Sequence, residues 1–262
     1  MHREYPPPPR PATRGASIGA FTTTGVADVF DFHERYFASL LDGEFYQELA
    51  RGTSQTVEYG LGNGRIARTV RPRYGVEQSV PLAQMARSRL GIATTVIIGD
   101  VRTVSLPQAV AYSYWPGTRL NRLTSPHDLT SALGNMRRNS AVGGTLAFDA
   151  AGASYYQYVS SQMGREFLFP LTSRSRLRGS YFRRSGDPDV FAGTLAIDHL
   201  DVAGSVCYSQ SLSAVEERYY SDEAIRASAE ATDWRIVKTF GSFDHEPMQA
   251  TSSTRIFICE AV

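Results

Sequence analysis

Lysine is almost missing from this sequence. Among its 27 lysine and arginine residues only Lys238 is lysine. The bias reads as the codon usage of a GC-rich, bacterial genome and not as a device for gripping anions. Asp and Glu number 26, and the net charge is +1. With no excess of either sign, charge gives no reason to expect nucleic acid or an anionic membrane as partner. Cysteine is scarce too: Cys207 and Cys259 are the two. Their separation fits neither a metal-ligand spacing nor a redox pair, and no metal site is expected. Each lies in an apolar, strand-like run, so both are expected as buried free thiols. No apolar run reaches 18 residues, so no membrane-spanning helix is expected. The N-terminus shows no apolar core of a signal peptide, and the cytoplasm is the expected location.

What remains is ordinary soluble-protein material. A chain of 262 residues, 42% hydrophobic and 20% charged, suits one α/β domain, or one domain with a sizeable insertion. Residues 1–24 carry "EYPPPPRPATRG". Consecutive prolines favour polyproline II and forbid a helix, so this part is expected as a mobile tail. A docking motif for a proline-binding partner is the alternative. Residues 25–262 are expected to form a single domain.

Periodicity gives the elements. "VADVFDFHERYFASLL" puts Val29, Phe32, Tyr36, Phe37, Leu40 and Leu41 on one face of a helix, and "DGEFYQELA" follows as a second. "TVEYG" is a strand candidate ahead of a glycine run, "IARTVRP" a helix after it, and "RYGVEQS" a short strand ending in Glu77. "PLAQMARSRL" is a helix with Pro81 in its first turn. "TTVIIGDV" and "AVAYSYW" are strands. "SPHDLTSALGNMRRNS" is a helix with Ser125 as its cap, and "GGTLAFDA" a strand. Alternation of strands and helices from 55 to 150 implies a doubly wound, mostly parallel sheet with helices on both faces. Residues 155–218 break the pattern with β-type runs and no strong helix: "REFLFPL", "LRGSYFRR", "DVFAGTLAIDHLDV" and "SVCYSQSLSAVEER". An antiparallel β insertion is expected there, with edges that leave a homodimer open. The helix "SDEAIRASAEATD" and strands "WRIVKTFGSF" and "TRIFICEAV" return to the main sheet.

Chemistry concentrates in "TVEYGLGNGRIART". Gly60, Gly62 and Gly64 let a backbone approach a ligand closely where a strand ends. A dinucleotide site would space its glycines G-x-G-x-x-G, and a P-loop would need Gly-Lys-Ser/Thr. Neither is present; a glycine-rich turn with no ligand is the plain alternative. The acids favour a ligand. Glu58, Glu77 and Asp100 each fall at or just past a strand end, so neighbouring strands would bring them to one crevice. Such a set suits an ammonium, a ribose diol and an adenine amine, a combination that describes S-adenosylmethionine.

In order and spacing, "VEYGLGNGRIAR", "GVEQS", "IIGDV" and "NMRRNSAVGGTLAFDA" resemble the class I S-adenosylmethionine-dependent methyltransferases over residues 26–262. The resemblance implies a Rossmann-like fold. It implies that Glu58, Gly60, Gly62 and Gly64 meet the methionine part of the cofactor, Glu77 with Gln78 the ribose, and Asp100 with Val101 the adenine. Gly143-Gly144 matches the family's turn before strand 5, with Val142 where the family has proline. The insertion after strand 5 is similar to that of the small-molecule branch, which includes glycine, sarcosine and aminosugar N-methyltransferases. There it covers the acceptor pocket, and N-terminal helices cap the other side.

Methyl transfer from a sulfonium is an in-line displacement in which positioning does most of the work. A nitrogen acceptor, or after it oxygen, of a small metabolite in natural-product biosynthesis is the expected partner, and a base helps. His199 in "AIDHLDV" is the candidate base, with a solvated strand histidine as its plain alternative. Tyr114 and Trp115 end strand 4, where aromatics can face a sulfonium or pack on the acceptor. His127 and Tyr46 complete the acceptor-side set, and His33 and Tyr36 lie on the first helix. Three other readings stay open: the same scaffold doing cyclase-like chemistry with the cofactor bound, a non-catalytic binding subunit, and a nicotinamide oxidoreductase, against which the glycine spacing and Asp100 argue.

Overall fold

Side chains of alternating direction build the main sheet, and each face buries its own core. The structure, a computed structural model, describes residues 42–262 apart from the side chains of residues 195 and 212–215. The proline-rich tail and the first expected helix, with His33 and Tyr36, lie outside the described residues. In chain order the elements are α1 (Asp42–Leu49), β1 (Thr56–Tyr59), α2 (Ala67–Val70), β2 (Tyr74–Glu77), α3 (Val80–Leu90), β3 (Thr95–Ile98), β4 (Val110–Trp115), α4 (Pro126–Arg138), β5 (Ser140–Ala151), α5 (Ala153–Ser161), β6 (Glu166–Thr172), β7 (Ser175–Arg183), β8 (Val190–Leu200), β9 (Val206–Arg218), α6 (Asp222–Glu230), β10 (Trp234–Phe240) and β11 (Thr254–Ala261).

The described residues fall into two compact units: 42–152 with Tyr220–Val262, and Ala153–Tyr219. In the first, seven strands run in the order β10-β11-β5-β4-β1-β2-β3. β1 to β5 pair in parallel, and β11 is antiparallel to both of its neighbours. This is the mostly parallel, doubly wound sheet expected from the sequence. Chain order reverses between β1 and β4, which puts a switch point at their carboxyl ends. Val57, Tyr59, Leu146, Phe148, Phe257 and Cys259 face the core under α4 and α6. Tyr112, Tyr114, Ala147, Ile256 and Ile258 face the opposite way, against Phe45 and Tyr46 of α1. A third cluster joins Leu61 and Val96 to Ala83 and Ala86 of α3. Among the described residues no helix is long and apolar enough to cross a membrane.

The second unit is an antiparallel meander, β6-β7-β8-β9. Asp198 on β8 is buried and accepts from Arg176 Nε, Arg178 Nε and Ser209 Oγ, tying three strands together. Phe167 stacks on Tyr181 with centroids 5.3 Å apart.

Three expectations need correction. The segment expected to hold no strong helix opens with α5, whose Tyr155, Tyr156 and Val159 are buried. The tyrosine phenols reach Glu217 and the Arg218 carbonyl, so tertiary contacts outweigh the β-propensity of an aromatic run. Cys207 is exposed, beside exposed Val206 and Tyr208 on an edge strand, and only Cys259 is a buried thiol. Ser125 takes the N-cap backbone conformation, but its side chain caps nothing; its carbonyl accepts from Asp128 and Leu129 amides and from Tyr220 Oη instead.

Gly152 closes β5 with no room for a side chain: a Cβ there would stand 1.9 Å from the Ser252 carbonyl oxygen. Its amide donates to the Ser253 carbonyl at 2.8 Å. Gly152→Ala is therefore expected to destabilise the protein by about 1–3 kcal/mol through overpacking, read as a lowered midpoint in urea unfolding. An unchanged midpoint would show that this join gives way freely.

Candidate functional site

β1 ends at Tyr59, and the chain turns through three glycines before α2. Gly60, Gly62 and Gly64 have φ of 69°, 60° and 83°, in the left-handed region where a side chain is strained. All three also lack space, a Cβ on Gly64 standing against Leu90 Cδ1 at 3.2 Å. A Cβ on Gly60 would lie 3.2 Å from Arg119 Cγ, and one on Gly62 3.0 Å from Arg119 Nη2. The loop is thus a cradle with a bare backbone floor. The helix after it, α2, is a single turn, so the cradle rests on the loop and on the strands beneath it.

Two buried carboxylates flank the cradle. Glu77, last residue of β2, accepts from the Gly62 amide through Oε2 at 2.7 Å and from the Ser79 amide through Oε1 at 2.8 Å. Glu58 lies on β1 beside Tyr114 of β4 in the strand register. Its Oε2 accepts from Tyr114 Oη at 2.8 Å. Burial pushes the Glu58 carboxyl up to about 8, although the Tyr114 bond and the Arg65 and Arg119 charges pull the other way. Burial, and then the Glu58 charge, hold the Tyr114 phenol well above its ordinary range. Tyr114 therefore serves Glu58 as a donor and is poorly suited to act as a base.

Asp100 stands two residues past β3 and is bound by its own neighbour. Arg102 donates to it from the backbone at 2.8 Å and from the guanidinium at 2.6 Å, and also reaches Asp128 at 2.8 Å. These bonds hold the Asp100 carboxyl below its usual value. Val101 packs against the core and its carbonyl accepts from Asn135. Gln78 is exposed.

The acceptor-side candidates are dispersed. Tyr114 and Trp115 point to opposite faces, since they are successive strand residues. Tyr114 stacks on Tyr46 at 5.3 Å, while Trp115 enters the core under α4 with its Nε1 3.6 Å from a Cβ position on Gly60. Tyr46 Oη donates to Asp149 Oδ1 at 2.7 Å. His127 is exposed in the first turn of α4. His199 belongs to the second unit, stacked on Tyr208 at 4.2 Å; its buried Nε2 has no hydrogen-bond partner among the described residues.

Sequence reasoning missed three groups here. Asp149, near the end of β5, takes the Gly117 and Thr118 amides at 2.8 and 2.7 Å and so folds the exit of β4. Thr118 sits there at φ 52°, a strained value for a non-glycine residue. Arg65, just past the glycines, pairs with Asp42 at the start of α1. Arg119 crosses the cradle. An acid inside an otherwise apolar strand, Asp149 in "TLAFDA", was the one local signal available.

No protein-family model and no curated protein sequence matches the chain; solved structures do. An S-adenosylmethionine-dependent methyltransferase from Clostridium acetobutylicum superposes with a TM-score of 0.75 at 13% identity, over 91% of this chain and 98% of that one. The fold is that of the S-adenosylmethionine-dependent methyltransferases. DesVI of Streptomyces venezuelae gives a TM-score of 0.68 at 14% identity, over 92% and 99% of the two chains. CalS10 from Micromonospora echinaspora, an amino pentose methyltransferase of calicheamicin biosynthesis solved with S-adenosylmethionine bound, gives 0.63 at 17%, over 92% of each.

Glu58 sets a pH dependence of its own. Its folded pKa, about 8, lies above the ordinary 4.5. The folded chain then holds a proton that the unfolded chain gives up, so stability falls as pH rises from 4.5 towards 8 and levels off beyond it. Urea unfolding at pH 5 and pH 8 is expected to show a smaller loss in Glu58→Gln than in wild type. Equal losses would contradict the raised pKa.

Proposed function

We propose that the protein is an S-adenosylmethionine-dependent methyltransferase that acts on a nitrogen, or after it an oxygen, of a small metabolite in bacterial natural-product biosynthesis. One observation carries this reading: a cradle of left-handed glycines at the switch point, flanked by two buried carboxylates from adjacent strand ends. The fit is chemical. The cradle floor accepts bulk only where no Cβ intrudes, and the buried acids need a positive partner. An amino-acid ammonium and a ribose diol supply what these groups ask for.

In this reading Glu58 and the Gly60–Gly64 backbone hold the methionine end. Glu77, with Gln78 beside it, takes the ribose, and Asp100 with Val101 takes the adenine. The bound cofactor supplies an activated methyl group. The chain's part is to fix geometry and exclude water. Tyr114 orients Glu58, and the Tyr46–Asp149 bond fixes the β4 exit beside the cradle. Glu58 releases a proton when a cation settles against it. Two proteins of similar fold, the sugar N-methyltransferase KedS8 and the amino pentose methyltransferase CalS10, support an amine acceptor. Acceptor choice is assigned to the 155–218 segment. His199 is proposed as its proton acceptor, because an unpartnered buried imidazole nitrogen is available to take one. His199→Ala is expected to lower kcat at least tenfold while leaving cofactor affinity as it was. An unchanged kcat would remove His199 from the reaction.

Calorimetric titration with S-adenosylhomocysteine tests the cofactor assignment. Wild-type protein is expected to bind in the micromolar range and Glu77→Ala to lose at least tenfold. A folded wild-type protein that binds nothing would overturn the proposal.

A further inference from the structure

The tight turn after β4 directs one side chain back across the cradle. Pro116 and Gly117 lead into Thr118, and with φ of 78° and 52° the Gly117-Thr118 pair reverses the chain while Asp149 holds both amides. The next residue is Arg119. Its Cγ and Cδ lie 3.2 and 3.6 Å from a Cβ position on Gly60, its Nη2 3.0 Å from that on Gly62, and its Nε 3.9 Å from that on Gly117. The arm therefore runs along the glycine floor. A single methyl group does not fit beneath it without a shift, and a nucleoside with an amino-acid tail needs far more room.

Two buried acids act on that arginine's charge. Glu58 and Glu77 are both buried, and an acid kept out of water either holds its proton, as Glu58 does near neutrality, or needs a positive partner. Burial above all, and then Arg122 and Arg65, disfavour the Arg119 cation, while Glu77 and, more weakly, Glu58 attract it. A ligand that enters the cradle must remove this cation, and the exchange balances only if it brings a positive charge of its own.

We propose that Arg119 is a built-in counter-ion that occupies the cofactor cradle of the unliganded protein and leaves it when the cofactor binds. This rests on the methyltransferase reading for the identity of the ligand. Cofactor affinity is then the intrinsic affinity reduced by the small fraction of molecules whose arm has already swung out. Removing the arm raises affinity, the reverse of what loss of a ligand contact does. It also removes a partner from two buried acids, so the unliganded variant melts at a lower temperature.

The test is calorimetry with S-adenosylhomocysteine on full-length wild type, Arg119→Ala and the milder Arg119→Gln, alongside melting of each protein without and with ligand. The expected result is affinity raised at least about threefold in both variants. A lower melting temperature without ligand and a larger ligand-induced rise accompany it. Unchanged affinity, with wild type binding normally, would show that the arm does not compete. Weakened affinity would make Arg119 a ligand contact. Either result overturns the inference alone and leaves the methyltransferase reading standing. No binding by any of the three folded proteins would overturn both. Binding by the variants but not by wild type would support both.

Discussion

Two carboxylates kept out of water at the carboxyl ends of β1 and β2 govern the organisation of this molecule. An acid cannot be buried there without donors, and the surrounding chain is arranged to supply them. The Gly62 and Ser79 amides close on Glu77, and the Tyr114 phenol closes on Glu58. The glycine loop follows from this constraint as much as from any ligand. Only a backbone free to take positive φ turns its Gly62 amide toward Glu77 within so few residues of β1. Tyr114 in turn is held by stacking between Tyr46 and Tyr112, so the aromatic cluster under α1 supports the acid it touches.

A third carboxylate repeats the pattern. Asp149 gathers the Gly117 and Thr118 amides and the Tyr46 phenol, which joins α1, the β4 exit and β5 at one point. The strain at Thr118 is maintained by that bond pair. It also sets where Arg119 goes. The two acid centres are thus coupled: Asp149 shapes the turn, and the turn lays a guanidinium across the cradle that Glu58 and Glu77 flank.

The local part of this was legible in the sequence. Strands β1 to β5 announce themselves by β-branched and aromatic runs punctuated by glycine. Glu58, Gly60, Gly62 and Gly64 lie within seven residues, so their juxtaposition needs no knowledge of the fold. The non-local part was hidden. Tyr114 meets Glu58 across 56 residues and Thr118 meets Asp149 across 31, and no periodicity records such meetings. Arg119 was invisible for the same reason: its position depends on a turn whose geometry is set by an acid on another strand. Successive strand residues also proved to be opposites. Tyr114 bonds Glu58 on one face, and Trp115 enters the core on the other with its Nε1 beside Gly60, a division that strand period two requires but that pairing them by proximity obscured. The helix at 153–161 shows the reverse failure, where tyrosines suited to a strand are drawn into a helix by partners some 60 residues on.

The central claim is that the glycine cradle between Glu58 and Glu77 is where the cofactor rests. Hydrogen–deuterium exchange of the full chain, with and without saturating S-adenosylhomocysteine, tests it most directly. The account predicts slowed exchange concentrated in residues 56–66 and 74–79. Ligand binding with no change in those two segments, and protection elsewhere, would contradict it.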